Sequence, residues 1–526
     1  MNMRNQWPVL PVVVGLACGL LTGCGSGTDD AKGTGQAMVM GMSDDVLATD
    51  PASGYDPGSW LLFNNVFQSL LSFPNGGTQP EPELAKSCAF GDARATVFKC
   101  ELKPDLKFSN GDSLTSEDVK FSFDRLLKIN DAAGPAVMFP TLEQIETPDE
   151  KTVVFHLNAP DATFPSKIAS GAGSIVDHRQ YDAGALRTDH KAIGSGPYTL
   201  DSFDKGQAVF SVNSHYQGTA DIKNSGVTLK FFHGDQRALK KALLGGDVDI
   251  AYRGLSATDI TGIDAQEGTK GIDVIEGSSA EVQHLVFNMK DPVAGKLGVR
   301  KAIAHLLDRD ALIHNVYQGT ATPLYSIIPA GIIGHNTAFF DTYGARPSRA
   351  QAAQALRADG ITGKVKLTLW STPARYGPAT DAELRAVAGQ LNASGLFEAD
   401  VKSVDFGQYE KDIAAGKYGV YVKGWVPDYP DADNFTAPFF GKGNVLSNGY
   451  DNSRLTGTLL PATAAQSDRA ATDKDFAQVQ DIVADELPIL PVWQAKQYAV
   501  VRDGVYGLEY CLDASTVFRF WELSKS

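Results

Sequence analysis

Val365-Lys366-Leu367-Thr368-Leu369-Trp370 alternates apolar with polar side chains before ending at a proline-containing turn, the pattern of a half-buried strand. The chain after it keeps changing period. Residues 382–393 read as a helix, 401–404 as a strand, 409–415 as a helix and 418–423 as a strand. Strands separated by helices predict an α/β lobe with a largely parallel sheet. The rhythm begins upstream, with a strand over 282–288 and helices over 299–307, 311–317 and 349–358. In such sheets ligands sit outside the carboxyl ends of the strands. Two loops fall there, one over 370–375 and one at Gly424-Trp425-Val426-Pro427-Asp428-Tyr429-Pro430-Asp431-Ala432-Asp433-Asn434-Phe435. In the second, two prolines and three aspartates stop regular structure. It presents a tryptophan, a tyrosine and a carboxylate together, a set that can stack on a ligand and pair with a positive group. Surface turns use the same residue types.

The preceding half is richer in strands. A strand is expected at 38–42, a helix at 60–71, and a hairpin over 84–102 with its tip at 91–94. Thr115, followed by Glu117 and Asp118, reads as the N-cap of a helix whose inner face is Val119, Phe123, Leu126 and Leu127. Strands follow at 152–157, 198–200, 208–212, 227–232 and 248–252, with a helix at 236–244 closed by Gly245-Gly246. A length of 526 residues exceeds one core and predicts two or three domains. The formal charge of −15 argues against nucleic acid or an anionic membrane surface as the partner.

Arg4 precedes an apolar run over 7–21 that ends in Leu21-Thr22-Gly23-Cys24. The run is short for a membrane span and has the charged start and small-residue finish of a secretory signal. Residues 25–36 then read as a flexible tether. Of five cysteines, Cys18 leaves with the signal. Cys88 and Cys100 face each other across the hairpin, where an oxidising compartment favours a disulfide that stabilises by roughly 3 kcal/mol. Cys511 is expected as a buried thiol.

No Cys-x-x-Cys or His-Glu-x-x-His occurs, so no metal and no cofactor is expected. Gly111-Asp112-Ser113-Leu114 spells a serine-esterase motif, but the Asp-x-x-His pair that would activate Ser113 occurs nowhere. A secreted hydrolase therefore stands as the remote alternative, and Ser113 reads as a turn residue.

Several segments together resemble one family. Leu21-Thr22-Gly23-Cys24 is similar to the lipobox of bacterial lipoproteins, which implies cleavage after residue 23 and lipidation of Cys24. Lys103-Pro104-Asp105 through Glu117-Asp118-Val119, Gly194-Ser195-Gly196-Pro197-Tyr198, Val299-Arg300-Lys301-Ala302-Ile303 with Asp308-Arg309-Asp310-Ala311-Leu312-Ile313, and Ile328-Pro329-Ala330-Gly331 resemble, in order, blocks of the peptide-type solute-binding lipoproteins of ABC importers, extracellular solute-binding protein family 5.

The resemblance implies a two-lobed clamshell of the periplasmic-binding-protein type, class II, with an extra inserted subdomain. Lobe I would comprise residues 38–75, 191–280 and 488–526 with the subdomain at 76–190, and lobe II residues 281–487, behind a signal over 1–23 and a tether over 24–37. It implies a monomer without enzymatic activity, anchored outside the cytoplasmic membrane, that passes short peptides to an ABC permease and its ATPase subunits. In the dipeptide and oligopeptide binders the aspartate after the Gly-Trp of the late loop pairs with the peptide ammonium, and that position is Asp428. The dipeptide binders carry Pro-x-x-Arg-x-Tyr after a Leu-Trp strand, with the arginine on the peptide carboxylate. Here Pro373-Ala374-Arg375-Tyr376 is one residue shorter between proline and arginine, and makes Arg375 the candidate with Tyr376 beside it. Trp425 and Tyr429 complete the expected contacts, while Tyr198 is expected to pack. Relatives that take oligosaccharides, opines or nickel chelates give the alternative reading on the same fold.

Overall fold

The computed structural model describes residues 35–265, 271–372 and 379–526. The expected signal, the expected lipid site Cys24, and the expected ligand contacts Arg375 and Tyr376 lie outside the described residues. Among those described, no helix is long and apolar enough to cross a membrane.

The strand Val365–Ser371 runs parallel to Phe397–Ser403 on one side and to Val420–Trp425 on the other. At the far end of the same sheet Met38–Met42 runs parallel to Gly226–Phe231 and Ile250–Tyr252. These two parallel groups are joined through two long antiparallel strands, Ile272–Phe287 and Ile489–Arg502. The sheet is therefore mixed, which corrects the expectation of a largely parallel one. Parallel pairing holds where helices cross over, and antiparallel pairing carries the chain between the two groups.

Each parallel group has its own core. One gathers apolar side chains from residues 38–252 and 499–523, the other from residues 280–493. The long strands therefore cross from one lobe to the other. Their ladder is irregular between Ser278 and Val282 and between Gln283 and His284, and there the short strand Ala321–Pro323 pairs with Trp493, Gln494 and Ala495. A strand over 282–288 alone is corrected to sixteen residues, Ile272–Phe287. Gly277 lies in the ladder against Gln497, and a Cβ there would stand 2.2 Å from the Leu512 carbonyl oxygen.

The first helix runs Pro57–Val66, with Asp56 accepting from the Ser59 amide and Pro57 opening it, which corrects 60–71. Proline suits that first turn because its missing N–H would be unpaired there anyway. The chain past Val66 returns as a short strand, Leu71–Ser72. Gly194 and Gly196 pack on the end of this helix, where a Cβ on Gly194 would meet the Val66 carbonyl oxygen at 2.2 Å. The glycines thus serve close approach as well as a turn.

Residues 85–157 form a four-stranded antiparallel sheet whose hairpin sets Cys88 opposite Cys100, with their sulfurs 2.02 Å apart. The helix Ser116–Ile129 begins with a capping box between Thr115 and Asp118. Ser113 lies in a bridge to Lys107, and its carbonyl accepts from Arg179. Tyr198 is fully buried with its hydroxyl on Asn224. Cys511 is a buried free thiol, pushed up to about 12 by burial.

Candidate functional site

Val420–Trp425 ends with Trp425 opposite Val282 of the crossing strand, and the chain then turns at Pro427 because proline cannot continue the ladder. Asn434 holds the loop together. Its Oδ1 accepts from Trp425 Nε1 at 2.8 Å and from the Asp428 amide at 3.0 Å, and its Nδ2 donates to Asp428 Oδ2 at 3.1 Å. Asn434 sits on the short turn Ala432–Phe435, capped by Asp431, whose Oδ1 accepts from the Asp433 amide at 2.8 Å. Asp431 is itself fixed by a buried bidentate pair with Arg469, at 2.8 Å from Nε and 2.7 Å from Nη2.

This scaffold turns Asp428 toward the other lobe. Its Oδ1 accepts from the hydroxyl of Tyr55 at 2.8 Å, and Tyr55 lies just before the helix Pro57–Val66 with its ring 5.8 Å from that of Trp60. Burial raises the Asp428 carboxyl above the ordinary carboxylate range, while Tyr55 and Asn434 pull it back down. Asp428 is half-buried, and its neighbours Tyr55 and Val426 keep 36% and 37% of their surface exposed. The carboxylate thus stands where solvent meets both lobes.

The next residue behaves differently. Tyr429 is 4% exposed and belongs to the core of the opposite lobe. Its hydroxyl donates to Asp433 Oδ2 at 3.4 Å, beside Thr163 and Asp161 of the first lobe. Asp161 pairs with Lys167 at 2.6 Å, and the Ala162 amide donates to the Ala464 carbonyl at 2.7 Å across the lobes. Burial and the neighbouring charge of Asp431 raise the Asp433 carboxyl to about 6. Tyr429, one of the expected ligand contacts, is buried here at the contact between the lobes. Trp425 is half-buried, edge-on to Phe439 at 5.1 Å, with its N–H spent on Asn434. Trp370 stacks on Tyr418 at 4.2 Å.

Comparison with known proteins agrees with this architecture. The profile of the bacterial extracellular solute-binding proteins, family 5 Middle, matches residues 79–447. The chain belongs to this family. The probable D,D-dipeptide-binding periplasmic protein DdpA of Escherichia coli K12 is 28% identical over 505 residues, 93% of this chain and 94% of that protein. A dipeptide-binding protein of Pseudomonas aeruginosa PAO1 is 26% identical over 536 residues, 95% of this chain and 96% of its own. Among solved structures, HbpA2 from Haemophilus parasuis superposes with a TM-score of 0.80 at 21% identity, covering 93% of this chain and 100% of that one. These structural likenesses carry the two-lobed fold.

In this family-5 protein, sequence reasoning missed Tyr55, Asn434 and Glu383. Glu383, on the helix Thr380–Ala393, accepts on Oε2 from Gln283 Nε2 at 2.7 Å, from Trp493 Nε1 at 3.0 Å and from the Tyr317 hydroxyl. It so ties together both crossing strands, and burial raises its carboxyl. An acid early in a helix is the only sequence signal it gives, and that signal is shared by many surface positions. Asp118, Asp177 and His178 cluster within 4.8 Å, but Asp118 serves the capping box and His178 while Asp177 holds Arg179 at 2.7 Å. Their arrangement is that of an ion-pair network.

Proposed function

We propose that this chain is the extracytoplasmic binding subunit of an ABC importer, which captures short peptides with free termini between its lobes and delivers them to a permease driven by ATPase subunits. The names of its relatives support the solute class. The observation that supports the reading is the Asp428 carboxylate, held by Asn434 of its own loop and meeting Tyr55 of the other lobe. An anion in a partly dry cleft favours a cationic amine, because the charge-assisted bond strengthens as water is excluded. Arg375, with Tyr376, is the proposed partner for the opposite carboxylate.

The division into lobe I, at 38–75, 191–280 and 488–526 with a subdomain at 76–190, and lobe II, at 281–487, belongs to this reading and is supported by the two separate cores. So do a lipid anchor on Cys24 and action as a monomer without catalysis. A sugar would call for aromatic platforms, and here Tyr429 is buried and Trp425 is half-buried with its ring packed edge-on to Phe439, which favours peptide over oligosaccharide. Calorimetry with peptides of two to five residues, beside N-acetylated and amidated forms, tests the reading. Free peptides are expected to bind more tightly, and equal binding of blocked forms removes Asp428 and Arg375 from it.

A further inference from the structure

Tyr55 and Asp428 belong to opposite lobes, stand 373 residues apart in sequence, and are joined by a hydrogen bond between their side chains. A tyrosine hydroxyl donates one proton and still accepts, whereas an ionised aspartate only accepts. An ammonium has three protons to place. Asp428 already takes a donor on each oxygen, Tyr55 on Oδ1 and Asn434 on Oδ2, so a further acceptor alongside completes a site for an amine.

We propose that Tyr55 is a ligand-contacting residue of the amine subsite, its phenolic oxygen accepting from the captured amine while its O–H continues to donate to Asp428 Oδ1. The inference rests on the reading of Asp428 given above. The tyrosine is well placed for it. Its ring lies against Trp60, whose Nε1 donates to the Gly54 carbonyl at 3.1 Å, and the following Asp56 caps the helix at 2.8 Å from the Ser59 amide. The loop carrying the hydroxyl is therefore anchored on both sides. Burial and the adjacent Asp428 charge push the phenol above its ordinary value, which keeps it protonated and makes it the donor of the pair. Tyr55 keeps 36% of its surface exposed, against 4% for Tyr429. An amine bound to the open form meets Asp428 alone; on closure it meets acceptors from both lobes, so recognition and closure reinforce one another.

The test is calorimetry of the purified full chain, wild type, Tyr55→Phe, Asp428→Asn and the double variant, with alanine peptides of two to five residues and their N-acetylated counterparts. Phe keeps the ring against Trp60, and a thermal melt checks that the fold is intact. Tyr55→Phe is expected to weaken free peptides about tenfold and to leave acetylated ones unchanged, with the double variant no weaker than Asp428→Asn. Equal weakening of free and acetylated peptides makes Tyr55 a closure contact and overturns the proposal. Loss of discrimination in Asp428→Asn with none in Tyr55→Phe overturns it while sparing Asp428. If the wild type binds free and acetylated peptides alike, or binds none, the reading of Asp428 fails and the proposal with it.

Discussion

Asp428 and Tyr429 are neighbours in the chain and opposites in surroundings. Asp428 is half-buried at the gap, with its carboxylate shared between Asn434 of its own loop and Tyr55 of the other lobe. Tyr429 points into the opposite core and sits among Asp433, Asp161 and Thr163. A residue that receives a ligand must keep reachable acceptors, whereas one that holds two lobes together gains most from burial, roughly 1.5–3 kcal/mol for a large side chain. One loop sets the two residues apart by turning successive side chains to different faces. The prolines on either side of this pair, Pro427 and Pro430, stiffen the turn that separates them.

The largest effect is expected beneath the buried half. Arg469→Ala leaves the buried Asp431 without its cation and should lower stability by about 3–5 kcal/mol, read as a fall in the denaturant midpoint.

The buried half should also respond to pH. Asp433 is raised from 3.8 to about 6 when the lobes are together, so its favourable protonated state is fully present below pH 3.8 and is lost as pH rises through 6. Wild-type stability should decline across that window by up to roughly 2–3 kcal/mol, and Asp433→Asn should flatten the decline. Melts from pH 4 to 7 check this, and equal slopes would remove the inter-lobe charge account.

Asp428→Asn should sharpen the contrast, because it weakens free-amine peptides by about 1.5–3 kcal/mol with little change in melting temperature. Wild-type binding should fade on acidification at a pH above the ordinary carboxylate range, since burial raises the Asp428 carboxyl and only the ionised form attracts an ammonium. Titrations at stepped pH read both. The smallest effect is expected for Tyr429→Phe, which removes a long 3.4 Å bond to Asp433 and should cost about 1 kcal/mol or less, visible as a slightly more open form in solution scattering.

Much of the second lobe was legible because its periods are local. The strands at 365–370 and 418–423 and the helix at 382–393 need only neighbouring residues to be read. The strand Phe397–Ser403 begins before 401, with Phe397, Ala399 and Val401 alternating with the outward-facing Glu398, Asp400 and Lys402. The crossing strand was not legible: Gly277-Ser278-Ser279 has poor strand propensity, and its ladder exists because residues 489–502 lie alongside. At the proposed site, Asp428 is the candidate that the Gly-Trp loop and the family resemblance single out. Tyr55 and the Asp431–Arg469 pair did not, since each contact joins segments far apart in the chain, and a tyrosine or an arginine in a loop carries no local mark of its partner.

The central claim, that the gap-facing carboxylate of this loop receives the amine of a captured peptide, is tested most directly by a crystal structure of the chain grown with a dipeptide. The account predicts the peptide nitrogen within hydrogen-bond reach of Asp428, with the Tyr55 oxygen on its other side. A bound peptide whose amine lies elsewhere, with Asp428 still bonded to Tyr55 and Asn434 alone, would contradict it.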